Sequence, residues 1–266
     1  MTTRLDSQQI HLWLTFCDAI TDTGVLARYR DLLSEQERSQ ADRFHATRDR
    51  HRHLVSRALL RTTLSRYADI PPEGWTFATN SHGKPAVDND DPRARRISFN
   101  ISHTGNLIVL GVCADRALGV DTEDTHARTR LLEIAERHFA PAETADLRAL
   151  PVAQRPLRFF RYWTLKEAYI KARGMGLSIP LERFAFDLRH SQRIDLAMQP
   201  ALQDAPRNWA FWQFYVASQH IVAVCVQRQN DDPPSLPAPI LRDVIPLVSE
   251  ATVPDAQIAC RWSSRP

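Results

Sequence analysis

Ile70-Pro71-Pro72-Glu73-Gly74-Trp75-Thr76-Phe77 and Ile179-Pro180-Leu181-Glu182-Arg183-Phe184-Ala185-Phe186 are one phrase written twice. Each reads as a proline-marked exit from a helix, a turn, and an alternating strand. The offset that superposes them lays the helix predicted around Arg52 to Arg66 over the helix predicted around Arg161 to Lys171. It also lays Ile10 to Phe16, which alternates like a strand, over Gly119 to Glu123. With a small shift, Leu107 to Cys113 falls on Ile221 to Val226. Echoes in series at nearly one offset favour a duplicated α+β unit over a chance match.

Working outward, Ser34 is predicted to cap a helix whose first turn carries Glu35 and Glu37. Pro141 with Glu143 opens another. Asn106 to Val112 and Ala117 to Thr122 read as a hairpin across Ala114-Asp115-Arg116, and Asn208 to Val216 with Gln219 to Val226 as a second. From Asp231 the prolines 233, 234, 237 and 239 predict an extended segment, with a short amphipathic element near Ile240 to Val248. The expected division is 1–116, 117–229 and a Pro-rich tail, 230–266.

Composition narrows the class. The 266 residues suffice for a real core, and 43% hydrophobic with 24% charged is ordinary for a soluble globular chain. A formal charge of +3 does not imply nucleic acid, and no nucleic-acid-binding module is recognisable. The arginines gathered between Arg38 and Arg66, including Arg52, Arg57 and Arg61, make a local anion site more credible than a global field. They read equally as a polar helix face. No signal peptide or membrane-length apolar run is present, so neither export nor a membrane is expected. Cys17, Cys113, Cys225 and Cys260 lack metal spacing and read as free thiols of a reducing cytoplasm.

The chemistry concentrates in Gly119-Val120-Asp121-Thr122-Glu123 and Trp163-Thr164-Leu165-Lys166-Glu167-Ala168-Tyr169-Ile170-Lys171. On a strand Asp121 and Glu123 share a face; on a helix Trp163, Glu167 and Lys171 form one stripe. Carboxylates and a lysine on facing elements would suit a hard divalent cation and the phosphates it carries. The plain alternatives are a strand end with surface acids and an exposed Glu167–Lys171 helix pair. The aromatic neighbours Phe159, Phe160 and Trp163 argue that this helix is partly buried, where a charge needs partners. Lys166, about 100° round the helix from Glu167, is expected on substrate or in solvent.

These segments resemble the signature of the Sfp-type 4′-phosphopantetheinyl transferases, roughly G-x-D-x-E followed by W-x-x-K-E-A/S-x-x-K. His82-Gly83-Lys84-Pro85 and Asn100-Ile101-Ser102-His103-Thr104 resemble the family's G-K-P and N-x-S-H-S/T elements, and Phe44 with His51-Arg52 its first basic helix. The likeness spans roughly residues 10 to 228. It implies an α+β pseudo-dimer of two similar subdomains with the coenzyme A site in the cleft between them. It further implies transfer of 4′-phosphopantetheine from coenzyme A to a serine of an apo acyl or peptidyl carrier protein, releasing adenosine 3′,5′-bisphosphate. Mg²⁺ would lie on Asp121, Glu123 and Glu167. Coenzyme A would meet Arg52, Lys84, Asn100, Ser102, His103 and Lys171, with Arg52 at the 3′-phosphate and Lys84 on a phosphate. Glu167 and Lys171 would be catalytic, with Glu167 or a metal-held water as base. Because duplication supplies both halves, a monomer is expected. Glu37, Gln40 and Thr79 stand where some relatives carry lysine or arginine, which bears on recognition at the adenine end. A metal-dependent nucleotide hydrolase and a silent coenzyme A or carrier-binding module stay open.

Overall fold

Each copy of the repeated phrase sits in the same series of elements in a computed structural model, which describes residues 5–126, 130–190, 192–217, 219–253 and 259–264. The first series is β1 (His11–Phe16), α1 (Thr23–Leu32), α2 (Glu35–Asp42), α3 (Thr47–Leu64), the small hairpin β2 (Phe77–Thr79) and β3 (Pro85–Val87), then β4 (Ile97–Thr104) and β5 (Leu107–Ala114). The second is β6 (Leu118–Asp124), α4 (Leu131–His138), α5 (Pro141–Ala149), α6 (Arg155–Arg173), the hairpin β7 (Phe184–Asp187) and β8 (Asp195–Met198), then β9 (Trp209–Val216) and β10 (His220–Gln227). β11 (Ile240–Ile245), β12 (Ser249–Thr252) and β13 (Ala259–Ser263) follow.

Strand pairing repeats as well. β5 runs antiparallel between β1 and β4, and β10 runs antiparallel between β6 and β9. The sheets are ordered β12-β11-β1-β5-β4 and β13-β9-β10-β6. The chain divides into two units: Met1–Thr79, Pro85–Asp115 and Pro239–Val253 in one, and Asn80–Lys84, Arg116–Ala238 and Pro254–Pro266 in the other. In the first, Val55, Leu59 and Leu60 of α3 pack with Phe99, Leu110 and Val112. In the second, Phe159, Leu165 and Tyr169 of α6 pack with Phe184, Phe211 and Ile221.

The repeat extends to a buried polar device. Ser34 caps α2, as its sequence predicts, and Glu37 bonds back to the Ser34 N–H. Glu37 also meets Arg61 of α3 at 2.7 Å, and Arg61 donates to the carbonyls of Pro72 and Trp75, each at 3.0 Å. In the second unit Glu143 accepts from the Ala140 N–H and pairs with Lys166 of α6, which donates to the carbonyls of Leu181 and Phe184. Pro72 and Trp75 stand in the repeated phrase where Leu181 and Phe184 stand in its copy. One carboxylate and one cation thus tie a short helix, a long helix and the turn of the phrase together in each unit. Arg61, read as part of a basic face, is a core residue.

Two expectations are corrected. β5 and β6 are not a hairpin: both edges of β5 are taken by β1 and β4, so β6 pairs with β10 in the other sheet. Each strand edge accepts one partner, and the turn composition at Ala114-Asp115-Arg116 does not say which. The tail expected over 230–266 is extended only at its start, and the short element expected near Ile240 to Val248 is present as a strand. Residues 231–239 have no regular structure, but β11 pairs in parallel with β1 along the edge that β5 leaves open. Leu241 and Val244 are buried there, and Thr15 donates to the Val244 carbonyl. β13 joins β9 in the second sheet. Arg116 donates through Nη1 and Nη2 to the two carboxylate oxygens of Asp232, at 2.9 and 2.8 Å, and anchors the connecting segment.

Among the described residues no helix is long and apolar enough to cross a membrane. Cys17, Cys113 and Cys225 are buried free thiols.

Candidate active site

The site is built on β6 and α6, and Gly119 is why they touch. A Cβ on Gly119 would lie 2.0 Å from the Ala168 carbonyl oxygen and 2.4 Å from the Ala172 nitrogen, so only glycine lets the helix backbone lie on the strand. This gives the glycine of G-x-D-x-E a packing role that its spacing does not reveal. The stripe predicted on α6 forms: Trp163, Glu167 and Lys171 are half-buried while the residues around them are buried. Trp163 stacks on Phe159 at 5.9 Å and fixes the start of the stripe.

Asp121 is 5% exposed, and its Oδ1 accepts from Lys171 Nζ at 2.6 Å. Glu123, two residues on, shares that strand face and is half-buried. Burial raises the Glu167 carboxyl above its ordinary range; the nearby Asp121 charge raises it further, and Lys171 opposes both. Of the three carboxylates and the lysine grouped from the sequence, Asp121 and Lys171 are directly bonded, and Glu167 lies within reach of both their charges.

Among the described residues, no set of three or more histidine, cysteine, aspartate or glutamate side chains is arranged to hold a metal ion. The donor chemistry still suits one. A buried Asp121, a half-buried Glu167 whose ionisation the Asp121 charge disfavours, and a further acid on the same strand face are oxygen donors of the kind a hard divalent cation takes.

Lys166 corrects its expectation. It is fully buried with Glu143 at 2.8 Å, so it meets neither substrate nor solvent; the turn at Leu181–Phe184 covers the side of α6 that carries it. Lys84 donates to the carbonyls of Leu118 and Ala172 at 3.0 and 3.1 Å. In the first unit, Arg52 on α3 bonds Asp49 at 2.6 Å. Asn100 and Ser102 lie buried on β4, and His103 is exposed. Strand alternation puts Asn100 and Ser102 on one face of β4 and His103 on the other. Asn80 went unnoticed in the sequence. Its Nδ2 donates to the Gly174 carbonyl at 2.8 Å, and its Oδ1 accepts the N–H groups of His82 and Lys84. An asparagine opening a turn that ends in glycine was the available signal.

Two family models match the chain. Residues 117–225 match the model of the 4′-phosphopantetheinyl transferase superfamily, and residues 24–114 match the model of the 4′-phosphopantetheinyl transferase N-terminal region. The chain belongs to the 4′-phosphopantetheinyl transferase superfamily. It is 33% identical over 83% of its length to 4′-phosphopantetheinyl transferase HetI of Nostoc sp., covering 88% of that protein. It is 33% identical over 64% of its length to 4′-phosphopantetheinyl transferase Sfp of Bacillus subtilis, covering 73% of it. With a phosphopantetheinyl transferase of Thraustochytrium sp. it shares 30% identity over 79% of this chain and 76% of the relative.

Proposed function

We propose that this chain transfers 4′-phosphopantetheine from coenzyme A to a serine hydroxyl of an apo acyl or peptidyl carrier protein, giving the holo-carrier and adenosine 3′,5′-bisphosphate. The observation that carries the reading is the Asp121–Lys171–Glu167 group, which falls on the signature strand and helix of a chain in this superfamily.

The serine oxygen attacks the β-phosphorus of coenzyme A, forming one P–O bond while the bond to the bridging oxygen breaks, and the nucleotide departs with that oxygen. Charge builds on the bridging and non-bridging oxygens. Lys171 supplies fixed positive charge beside Asp121. Glu167 is the proposed acceptor of the serine proton, since burial raises its basicity toward working pH. Mg²⁺ held by Asp121, Glu123 and Glu167 would add charge stabilisation at the pyrophosphate. Arg52, Asn100, Ser102 and His103 are proposed coenzyme A contacts on their motif resemblance. The bond to Asp49 already orients the Arg52 fork, which suits a phosphate. We place the reaction in the cytoplasm, where buried free thiols stay reduced, and assign it to a monomer.

The test is intact-mass analysis of purified apo acyl and peptidyl carrier proteins incubated with the chain, coenzyme A and Mg²⁺, with and without chelator. A chelator-sensitive gain of one phosphopantetheine is expected. Coenzyme A hydrolysis without a carrier would point instead to a nucleotide hydrolase. Coenzyme A binding with no gain on any carrier would point to a silent module.

A further inference from the structure

We propose that Lys84 is a positioning residue that locks α6 onto β6, and not a contact to the phosphates of coenzyme A; the proposal rests on the transferase reading above. Its Nζ donates to Leu118 O of β6 at 3.0 Å and to Ala172 O of α6 at 3.1 Å. Both acceptors lack a partner within their own element. β6 is the last strand of its sheet. The Ala117 carbonyl accepts from Gln227 and the Thr125 N–H donates to Gln219, so the odd-numbered residues of β6 turn their backbone groups toward β10. Leu118 therefore turns its carbonyl to the open edge. Ala172 is in the last turn of α6, where carbonyls have no intrahelical donor and a lysine is favoured by the helix dipole.

The same turn secures the helix end a second time. Asn80 donates to the Gly174 carbonyl, and its own side-chain oxygen holds the backbone of His82 and Lys84. Gly174 ends α6 in the left-handed region at φ 65, and a Cβ there would meet Lys84 Cδ at 2.9 Å. The lysine stem thus lies across the helix terminus. The two tied carbonyls flank Gly119 and Lys171 in sequence, so the clamp sets how Lys171 and Glu167 stand against Asp121.

The experiment compares wild type, Lys84→Met and Asn80→Ala in the full chain. It measures coenzyme A kinetics in the carrier assay and amide hydrogen exchange over residues 118–123 and 168–173. A clamp predicts kcat lower by about tenfold or more in both variants, with the KM for coenzyme A within about threefold of wild type. It also predicts faster exchange confined to those segments. Asn80 is neutral, so its agreement with Lys84 is something a phosphate contact does not produce. A raised KM in Lys84→Met with kcat kept, and Asn80→Ala behaving as wild type, would overturn the proposal. Cooling below each variant's unfolding transition should leave kcat low; recovery on cooling would mean general destabilisation and overturn it too. If wild type transfers nothing, the transferase reading fails, while unchanged exchange in Lys84→Met still refutes the clamp by itself.

Discussion

Lys166 and Glu143 meet at 2.8 Å with neither side chain exposed, one residue along the helix from Glu167. Neighbouring positions of one helical motif thus serve different ends: Lys166 holds the fold and Glu167 faces the site. Burial pushes the Glu143 carboxyl up and the Lys166 ammonium down, and each charge opposes the shift of the other. Such a pair adds little over an apolar substitute, but losing one member strands the other. Lys166→Met is expected to lower the unfolding free energy by about 3–5 kcal/mol, read from urea unfolding. A change below about 1 kcal/mol would show that Glu143 is not stranded.

Glu167→Gln should behave in the opposite way. The substitution keeps the shape and removes a charge that burial disfavours, so the urea midpoint should hold or rise. Transfer to the carrier should fall at least about 100-fold, the low end for a lost general base. Near-normal turnover would sink the role given to Glu167.

Gly119→Ala tests the strand–helix contact. The new methyl meets backbone and not a flexible side-chain end, so α6 has to shift. We expect a loss of about 3 kcal/mol together with a fall in kcat as Asp121 and Lys171 separate. A variant as stable and active as wild type would mean the contact is looser than 2.0 Å implies.

Acid should weaken the chain through a buried histidine. Trp13 Nε1 can only donate, so the Tyr67 hydroxyl accepts from it at 2.9 Å and its own proton is available to His11 Nδ1 at 2.7 Å. Burial, aided by the Arg242 charge, pushes His11 down to about 4. Between the unfolded value of 6.5 and about 4 the unfolded chain binds the extra proton. The stability from neutral His11 is complete above that window and is lost as pH falls through it. The loss should be roughly 3 kcal/mol, and His11→Gln, which cannot titrate, should flatten that part of a stability–pH curve. His53 and His220, both lowered chiefly by burial, should leave a smaller residual slope.

Truncation after Ala238 tests the closing strands. It removes β11 with buried Leu241 and Val244, and also Arg242, which lies 5.3 Å from the Trp13 ring. We expect a cost of about 3 kcal/mol or more and rapid proteolysis of the first unit. A truncated chain with unchanged unfolding would mean that the segment is dispensable.

What the amino-acid order settled by itself was local or periodic. Ser34 and Glu37 mark a helix start because a capping box needs only residues three apart. The repeated phrase announces two like units because alternation and proline turns are written into each copy. Asp121 with Glu123, and Glu167 with Lys171, fall together because strand and helix periods dictate it. Tertiary structure alone decided which strand edge was free and which helix side was covered. β6 left its sequence neighbour β5 because both edges of β5 were taken, and Ile240–Ile245 became a strand because β1 had an edge to fill. In sequence Lys166 reads as a cation for substrate or solvent and Lys84 as one for a phosphate, yet each donates to backbone carbonyls supplied by distant segments. Hydrogen-bond partners far apart in the chain carry no sequence period, so only packing reveals them.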